Sequence, residues 1–471
     1  MDTHDPYDDP ETPFIPTLGA KPPPTTRGRK LSRRTICTAL AGISLLGFGF
    51  LLLKPSSHLD TQDVPSYSAA SNSPSYLQGP PTQRFRDNLR NDTKYITSFT
   101  SAGWTNDVMT YGNLIYLALL TERIPIIAKF LSSHIDSSEP PFAFGEIFDV
   151  PRLSQAIGIP VLEWHEVKDS ESQVLDDLGG WSVWESVERY TEDPRPRASP
   201  IIDRLKLDIS WTRTPDWVKL TPPDIIDDHA SFWSLATLAF PQARSENLGL
   251  PNRPSPQHHV SLLPDDQLLC FDFLYFIAAQ RPWEWEMDYS PAWRFVGQHM
   301  RWNATMEKLA DAHARRAMNV PGRLKPVPPY ISVHIRHGDF RDQCHGLPVD
   351  QCFASLSIIA RRVSEVQEEL RTRKGIEVTH VIMTSDESDP EWWSEVRALG
   401  WTWVDYATDR TEEIYGKWYP VFIDAIIQSN GAGFVGTRGS TMSNLALRRV
   451  QTWHNGPTRI VQWGWPGADD H

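Results

Sequence analysis

From residue 330 to residue 453 the chain alternates short β-rich runs with amphipathic helical stretches, and this pattern constrains the fold more than any other feature of the 471 residues. Residues 330–333 (YISV), 380–384 (HVIMT), 401–406 and 433–436 read as strands. Between and after them, residues 352–370, 390–399, 421–428 and 442–453 read as helices, the last with Met442, Leu445, Ala446, Val450 and Trp453 on one face. Strands separated by helices form an open α/β sheet, and ligands of such sheets sit outside the carboxyl ends of the strands.

Several residues fall at those ends. Arg336 follows the first strand within His334–Phe340 (HIRHGDF). Its guanidinium is always charged and grips phosphate oxygens in a two-pronged geometry, although a surface ion pair with Asp339 would also account for it. Ser440 and Thr441 open the last helix, where free N–H groups and the helix dipole favour an anion; a plain N-cap fits them equally well. Asp424 lies in an apolar helical pattern, and a buried carboxylate needs a partner, either a structural Arg or the N–H donors of a guanine edge.

An earlier unit has the same character. Residues 95–99 read as a strand, 100–106 as a Gly-containing loop, 107–121 as a helix and 124–128 as a strand, a βαβ unit without G-x-G-x-x-G. Residues 144–167 read as a short helix and a strand. Residues 185–266, rich in Pro, Asp, Trp and Arg, read as long connections. Residues 268–279 and 293–317 read as helices, and the Pro-rich residues 321–329 as an interdomain connection.

The first 34 residues have the composition of a disordered tail, with Arg27, Arg29, Lys30, Arg33 and Arg34 clustered at its end. Residues 35–53 are apolar and uncharged, long enough to cross a bilayer, and the basic cluster before them favours a cytoplasmic N-terminus. Residues 54–90, rich in Ser, Pro, Tyr and Gln where they follow the apolar run, read as a stem. This organisation reads as a single-pass type II signal anchor with a luminal globular part; a cleaved signal peptide and a buried helix are the alternatives. Asn91-Asp92-Thr93 and Asn303-Ala304-Thr305 fit the N-glycosylation tripeptide. In an oxidising lumen Cys344 and Cys352 would close a short loop; two buried thiols are the alternative. The net charge of -13 argues against a nucleic-acid partner, and the cysteines and histidines lack metal-site spacing.

HIRHGDF, Thr384–Glu387 (TSDE) and WYPVFIDAIIQSNGAGFVGTRGSTMSNLALRRV at residues 418–450 together resemble the GDP-fucose-dependent protein O-fucosyltransferases. FGEIFDVPRLSQAIGIPVLEWHEV at residues 144–167 also looks familial, and GWTND at residues 103–107 matches the family's Gly-rich loop less well. The resemblance implies an α/β, GT-B-like fold: two Rossmann-like domains facing a cleft, an acceptor-side domain over residues 91–325 and a GDP-sugar-binding domain over 326–471. It implies inverting transfer of L-fucose from GDP-fucose to a protein hydroxyl or a glycan, with no cofactor and no metal. Arg336 would meet the β-phosphate and glycosidic oxygen, and Asn106 would line the cleft from the first domain. His334 would place the nucleotide, with Gly103 in the loop opposite. Ser440, Thr441 and Met442 would meet the phosphates, Asp424 would read guanine, and Asp386 would lie near the site. Asp339 would orient the loop or Arg336. Where part of the family has a general-base Glu, this chain has Ala102; Asp107 is the nearby carboxylate, at a position that also suits a helix start. The competing readings are a glycosyltransferase-like protein that binds the nucleotide sugar without catalysis, and a structural membrane protein that keeps only the fold.

Overall fold

The computed structural model describes residues 76–131, 135, 138–188, 191–220, 229–321 and 326–469. The expected tail, the membrane segment and residues 54–75 of the expected stem lie outside them; residues 76–90 pack into the first half, with Phe85 and Leu89 buried beside Tyr95. Among the described residues no helix is long and apolar enough to cross a membrane.

Two separate sheets carry the fold. The first has seven strands in the order Leu162–Glu163, Ile124–Ile127, Tyr95–Ser98, Leu268–Phe271, Asp176–Ser182, Leu207–Arg213 and Asn252–Arg253. All are parallel except the last, which pairs antiparallel at one edge. The second has four parallel strands in the order His380–Ser385, Tyr330–Ile335, Gly433–Thr437 and Thr458–Val461. Tyr330–Ile335 is central and buried along its whole length: Ile331, Val333 and Ile335 pack in one apolar cluster, while the alternating Ser332 and His334 are buried with hydrogen-bond partners, Gln428 O and Ser443 Oγ.

Four sequence expectations are corrected. Residues 268–279 are not a helix: Leu268–Phe271 is a buried central strand of the first sheet, and Ile277–Ala278 pairs with Ala230–Ser231. A four-residue apolar run carries no period that separates strand from helix. Residues 293–317 are not one helix, because Asn303 caps a new one, Ala304–Ala317. Residues 401–406 make only a single bridge, Thr402 to Ile382. Residues 185–266 hold more than connections, since Leu207–Arg213 is a full strand.

The halves share an apolar core. Phe422, on helix Tyr419–Asn430, meets Trp104 of the first half at 5.0 Å and Phe142 at 4.9 Å between ring centroids. Trp418 donates its indole N–H to Pro140 O at 3.1 Å, and Trp293 donates to Thr452 Oγ1 at 3.3 Å. Aromatic contacts of this kind bury large areas, so the sheets are joined by packing as well as by the chain that links them.

Candidate active site

The site is built at the carboxyl edge of the second sheet. His334 lies in register with Thr384 on one neighbouring strand and Gly436 on the other, so Arg336, Asp386 and Arg438 all emerge at one edge. The Arg336 backbone N–H donates to Thr437 Oγ1 at 3.0 Å, and that hydroxyl donates to His334 O at 3.1 Å. Thr437 therefore fixes where the main chain leaves the sheet.

Two carboxylates hold the Arg336 guanidinium: Nη1 meets Asp386 Oδ2 at 2.6 Å and Nη2 meets Asp339 Oδ1 at 2.7 Å. The side chain remains 30% exposed, and a guanidinium has five N–H donors, so capacity is left for a ligand. The other oxygen of Asp386 accepts from His337 N at 2.8 Å. This arrangement explains the glycine of HIRHGDF: a Cβ on Gly338 would stand 2.2 Å from Asp386 Oδ2.

The following loop is pinned. Glu387 accepts from Arg341 at 2.6 Å and from the N–H groups of Ser388 and Asp389 at 2.7 and 2.9 Å, and meets His337 Nδ1 at 2.8 Å. Burial alone would raise its pKa, but Arg341, these N–H groups and His337 hold it down to about 2. Phe340 stacks on Trp463 at 4.8 Å, and a Cys344–Cys352 disulfide closes the loop.

Helix Thr441–His454 starts beside this loop. Ser440 is its N-cap, with Oγ accepting from Ser443 N at 3.3 Å. Ser443, fully buried, accepts from Thr437 N at 3.0 Å and lies 2.8 Å from His334 Nδ1. Burial pushes His334 down to about 4, with Asp386 opposing and Arg336 reinforcing the shift, so the ring is neutral near pH 7. Because Ser443 Oγ already accepts, its proton is assigned to Nδ1, which makes Nε2–H the ring donor left for a ligand.

The first half meets this helix end to end. Thr105 Oγ1 and Thr441 Oγ1 are 2.6 Å apart, at the N-termini of the 18-residue helix Trp104–Thr121 and the 14-residue helix Thr441–His454. Each N-terminus carries roughly half a positive charge, so their approach is unfavourable until an anion sits by both. Gly103 is the N-cap of the first helix and supplies no side chain, Asn106 follows Thr105 in its first turn, and Met442 follows Thr441 in the second.

Asp424 lies in Tyr419–Asn430, one turn before Gln428, whose Nε2 donates to Thr384 Oγ1 at 2.9 Å. Ser332 reaches Gln428 O, so the helix runs antiparallel to the strands and Asp424 is nearer the carboxyl edge. Burial pushes its acid up to about 7, opposed by the Tyr406 hydroxyl that donates to it. Among the described residues no basic side chain pairs with it, so the structural Arg that would compete with a ligand is not there.

Asp107 is buried at the start of its helix and accepts from Ala102 N at 3.1 Å, closing the loop. Asp272, at the carboxyl edge of the first sheet, is pushed up to about 6 by burial against its hydrogen bonds, but its oxygens accept from Ser182 Oγ and from the N–H groups of Val183, Arg197 and Phe273. Both are committed to structure. Among the described residues Asp177, Asp208 and His258 could together hold a metal ion, with ligand atoms within 4.8 Å of one another. They lie at the amino-terminal ends of Asp176–Ser182 and Leu207–Arg213 or on a turn nearby, and Asp208 is already filled by Ser255 Oγ and two N–H groups.

The structure thus gathers Arg336, His334, Asp386, Asp339, Ser440, Thr441 and Met442 at one edge, with Gly103 and Asn106 across from Thr441 and Asp424 a helix away. Sequence reasoning missed Thr437, Ser443, Thr105 and Tyr406. Only Ser443 left a trace, as a hydroxyl three residues after a candidate N-cap.

No protein-family model matches this chain, and no curated protein matches it. Among solved structures it is similar to the apo form of POFUT1, with TM-score 0.50 and 12% identity, over 79% of this chain and 99% of that one. POFUT1 in complex with GDP-fucose aligns with TM-score 0.49 and 13% identity, over 80% and 99% of the two chains. The fucosyltransferase NodZ from Bradyrhizobium aligns with TM-score 0.35 and 13% identity, over 76% and 92%. The class these observations define is an α/β protein of the two-sheet, GT-B-like kind. Its particular fold is that of POFUT1.

Proposed function

We propose that this chain is a fucosyltransferase that transfers L-fucose from GDP-fucose to a hydroxyl of a protein or glycan, with inversion and without a metal or other cofactor. The observation that carries the reading is Arg336, held by Asp386 and Asp339 where two helix N-termini meet. A diphosphate suits that place, and POFUT1, whose fold the chain shares, has been crystallised with GDP-fucose. As the bond between fucose and diphosphate breaks, charge grows on the departing GDP. Arg336, His334 Nε2–H and the first N–H groups of helix Thr441–His454 are fixed donors for it, and such preorganised donors lower the barrier. Asp424 accepts the N–H groups of the guanine edge, and Asn106 and Gly103 border the fucosyl side. Inversion brings the acceptor hydroxyl to the face of C1 opposite the diphosphate, and with Ala102 where part of the family has a carboxylate its proton passes to solvent on that face.

The reading includes a type II membrane protein of the Golgi or endoplasmic reticulum lumen, anchored by residues 35–53 and carried on the stem. The Cys344–Cys352 disulfide supports an oxidising compartment. Ala102 and the committed Asp107 favour one second reading, a non-catalytic binder that retains the nucleotide-sugar site.

A thermal-shift panel of GDP, UDP, CMP and GDP-fucose on the chain from Ser66 onward tests the site. A rise with GDP and GDP-fucose alone supports it, and hydrolysis or transfer of fucose separates enzyme from binder. No shift at millimolar ligand, with folding confirmed, overturns both readings.

A further inference from the structure

The two glycosylation tripeptides sit in opposite environments. Asn303 is the N-cap of helix Ala304–Ala317, its Oδ1 accepting from Met306 N at 2.9 Å. Its Nδ2 donates to Gly145 O at 3.2 Å and to Glu146 O at 2.6 Å. Both N–H bonds of the carboxamide are therefore occupied, and they tie the helix start to a turn far away in the chain.

Asn91 is exposed, in a turn between the short helix Phe85–Asn88 and strand Tyr95–Ser98. Among the described residues no group bonds its carboxamide. Its neighbours are engaged with each other: Arg90 pairs with Asp92 at 2.7 Å, and Thr93 Oγ1 donates to Asp92 Oδ1 at 3.0 Å. The turn precedes Tyr95, at the amino-terminal edge of the first sheet, whereas the candidate site lies beyond the carboxyl end at Ser98. A bulky group on Asn91 therefore stands clear of the site.

We infer that Asn91 carries an N-linked glycan and that Asn303 does not. The inference rests on the luminal location in the proposed function. In the transfer, Asn91 Nδ2 displaces the lipid diphosphate from C1 of a lipid-linked oligosaccharide. The N–C1 bond forms, the C1–O bond to the diphosphate breaks, and one N–H proton is lost. A substituted Nδ2 keeps a single N–H. At Asn303 that strips at least one of the two carbonyls of its partner and puts a sugar carbon where the Gly145 and Glu146 carbonyls stand. The chain that reaches this fold is the one with Asn303 bare.

The test uses the full chain made in a eukaryotic secretory cell. Glycans are released in heavy-oxygen water and the labelled asparagine is located by peptide mass spectrometry. The expected result is one occupied position, Asn91, with the mobility shift abolished by Asn91→Gln and retained by Asn303→Asp, which keeps the capping oxygen. Asn303→Asp lowers the melting temperature and Asn91→Gln does not. A glycan on Asn303 in folded chain, or a bare Asn91, overturns the inference. Protease protection of intact microsomes separates the causes. If the globular part is protected and Asn91 is bare, the inference alone fails; if it is digested, the luminal reading fails with it.

Discussion

The carboxyl edges of the two sheets touch through Thr105 and Thr441, yet they are built in different ways. The edge of the second sheet is made of side-chain charge: Arg336 between two carboxylates, a neutral His334 oriented by Ser443, and the pinned loop behind them. The edge of the first sheet spends its carboxylates on its own structure, Asp107 on the Ala102 N–H and Asp272 on the Ser182 hydroxyl and four backbone N–H groups, and meets the other half with a helix N-terminus. On the proposed function, the second edge stabilises the leaving group and the first positions the acceptor against it. A site divided in this way concentrates its rate effect in one half.

Substituting Arg336 tests that division hardest. Arg336→Ala is expected to lower fucosyl transfer by on the order of 100-fold or more, the usual scale for a lost transition-state donor, while the melting temperature changes little. Steady-state kinetics with GDP-fucose check this. A loss below tenfold would move the chemistry away from the second edge.

The next effect is in pH. If Asp424, pushed up to about 7 by burial, reads guanine as proposed, it must be ionised to accept the two N–H groups. GDP affinity is therefore expected to rise with pH through about 7 and then level off, falling by up to about tenfold per unit on the acid side. Stability of the free protein runs the other way. A carboxyl whose folded value lies above its unfolded one contributes stability at low pH that is lost as pH rises through about 7. Calorimetric titration of GDP against pH, with Asp424→Asn as the flat control, separates the two slopes.

Ser443→Ala acts more quietly. It leaves the buried Thr437 N–H without its acceptor and frees the His334 ring to change tautomer. A stability loss of about 1–3 kcal/mol follows, the cost of one unsatisfied buried donor. Ser443→Thr, which keeps the hydroxyl, is expected to recover GDP affinity more fully than stability, as read by denaturant melts and calorimetry.

The same contrast governs what could be read from sequence. In the second half, residues 401–406 apart, local pattern and tertiary role agree: each strand of its central trio runs into a loop bearing a charged or hydroxyl residue, and Ser440 announces its helix. In the first half they conflict. Asp176–Ser182 contains Gly179 and Gly180, residues that weaken a strand, yet the glycines are there because a Cβ would meet Leu263 O at 1.9 Å in one case and the Trp211 ring at 2.5 Å in the other. Those partners are distant in sequence, so a local pattern cannot reveal them. Leu268–Phe271 is too short to show a period, and the roles of Thr437 and Ser443 exist only once three segments meet.

The smallest expected effect is the most discriminating between the halves. Thr105 and Thr441 share one hydrogen bond, so Thr105→Val and Thr441→Val each remove it, at about 1 kcal/mol of stability. Only Thr441 belongs to the helix start beside Arg336 and His334. If the second edge holds the diphosphate, Thr441→Val weakens GDP by about tenfold, the worth of one charge-assisted hydrogen bond, while Thr105→Val stays within about twofold. In the double variant the stability losses fail to add, because the bond can be lost only once, whereas the affinity loss equals that of Thr441→Val alone. Equal affinity losses in the two single variants would mean instead that both helix ends grip the nucleotide, and that the division of labour between the sheets is confined to the charges.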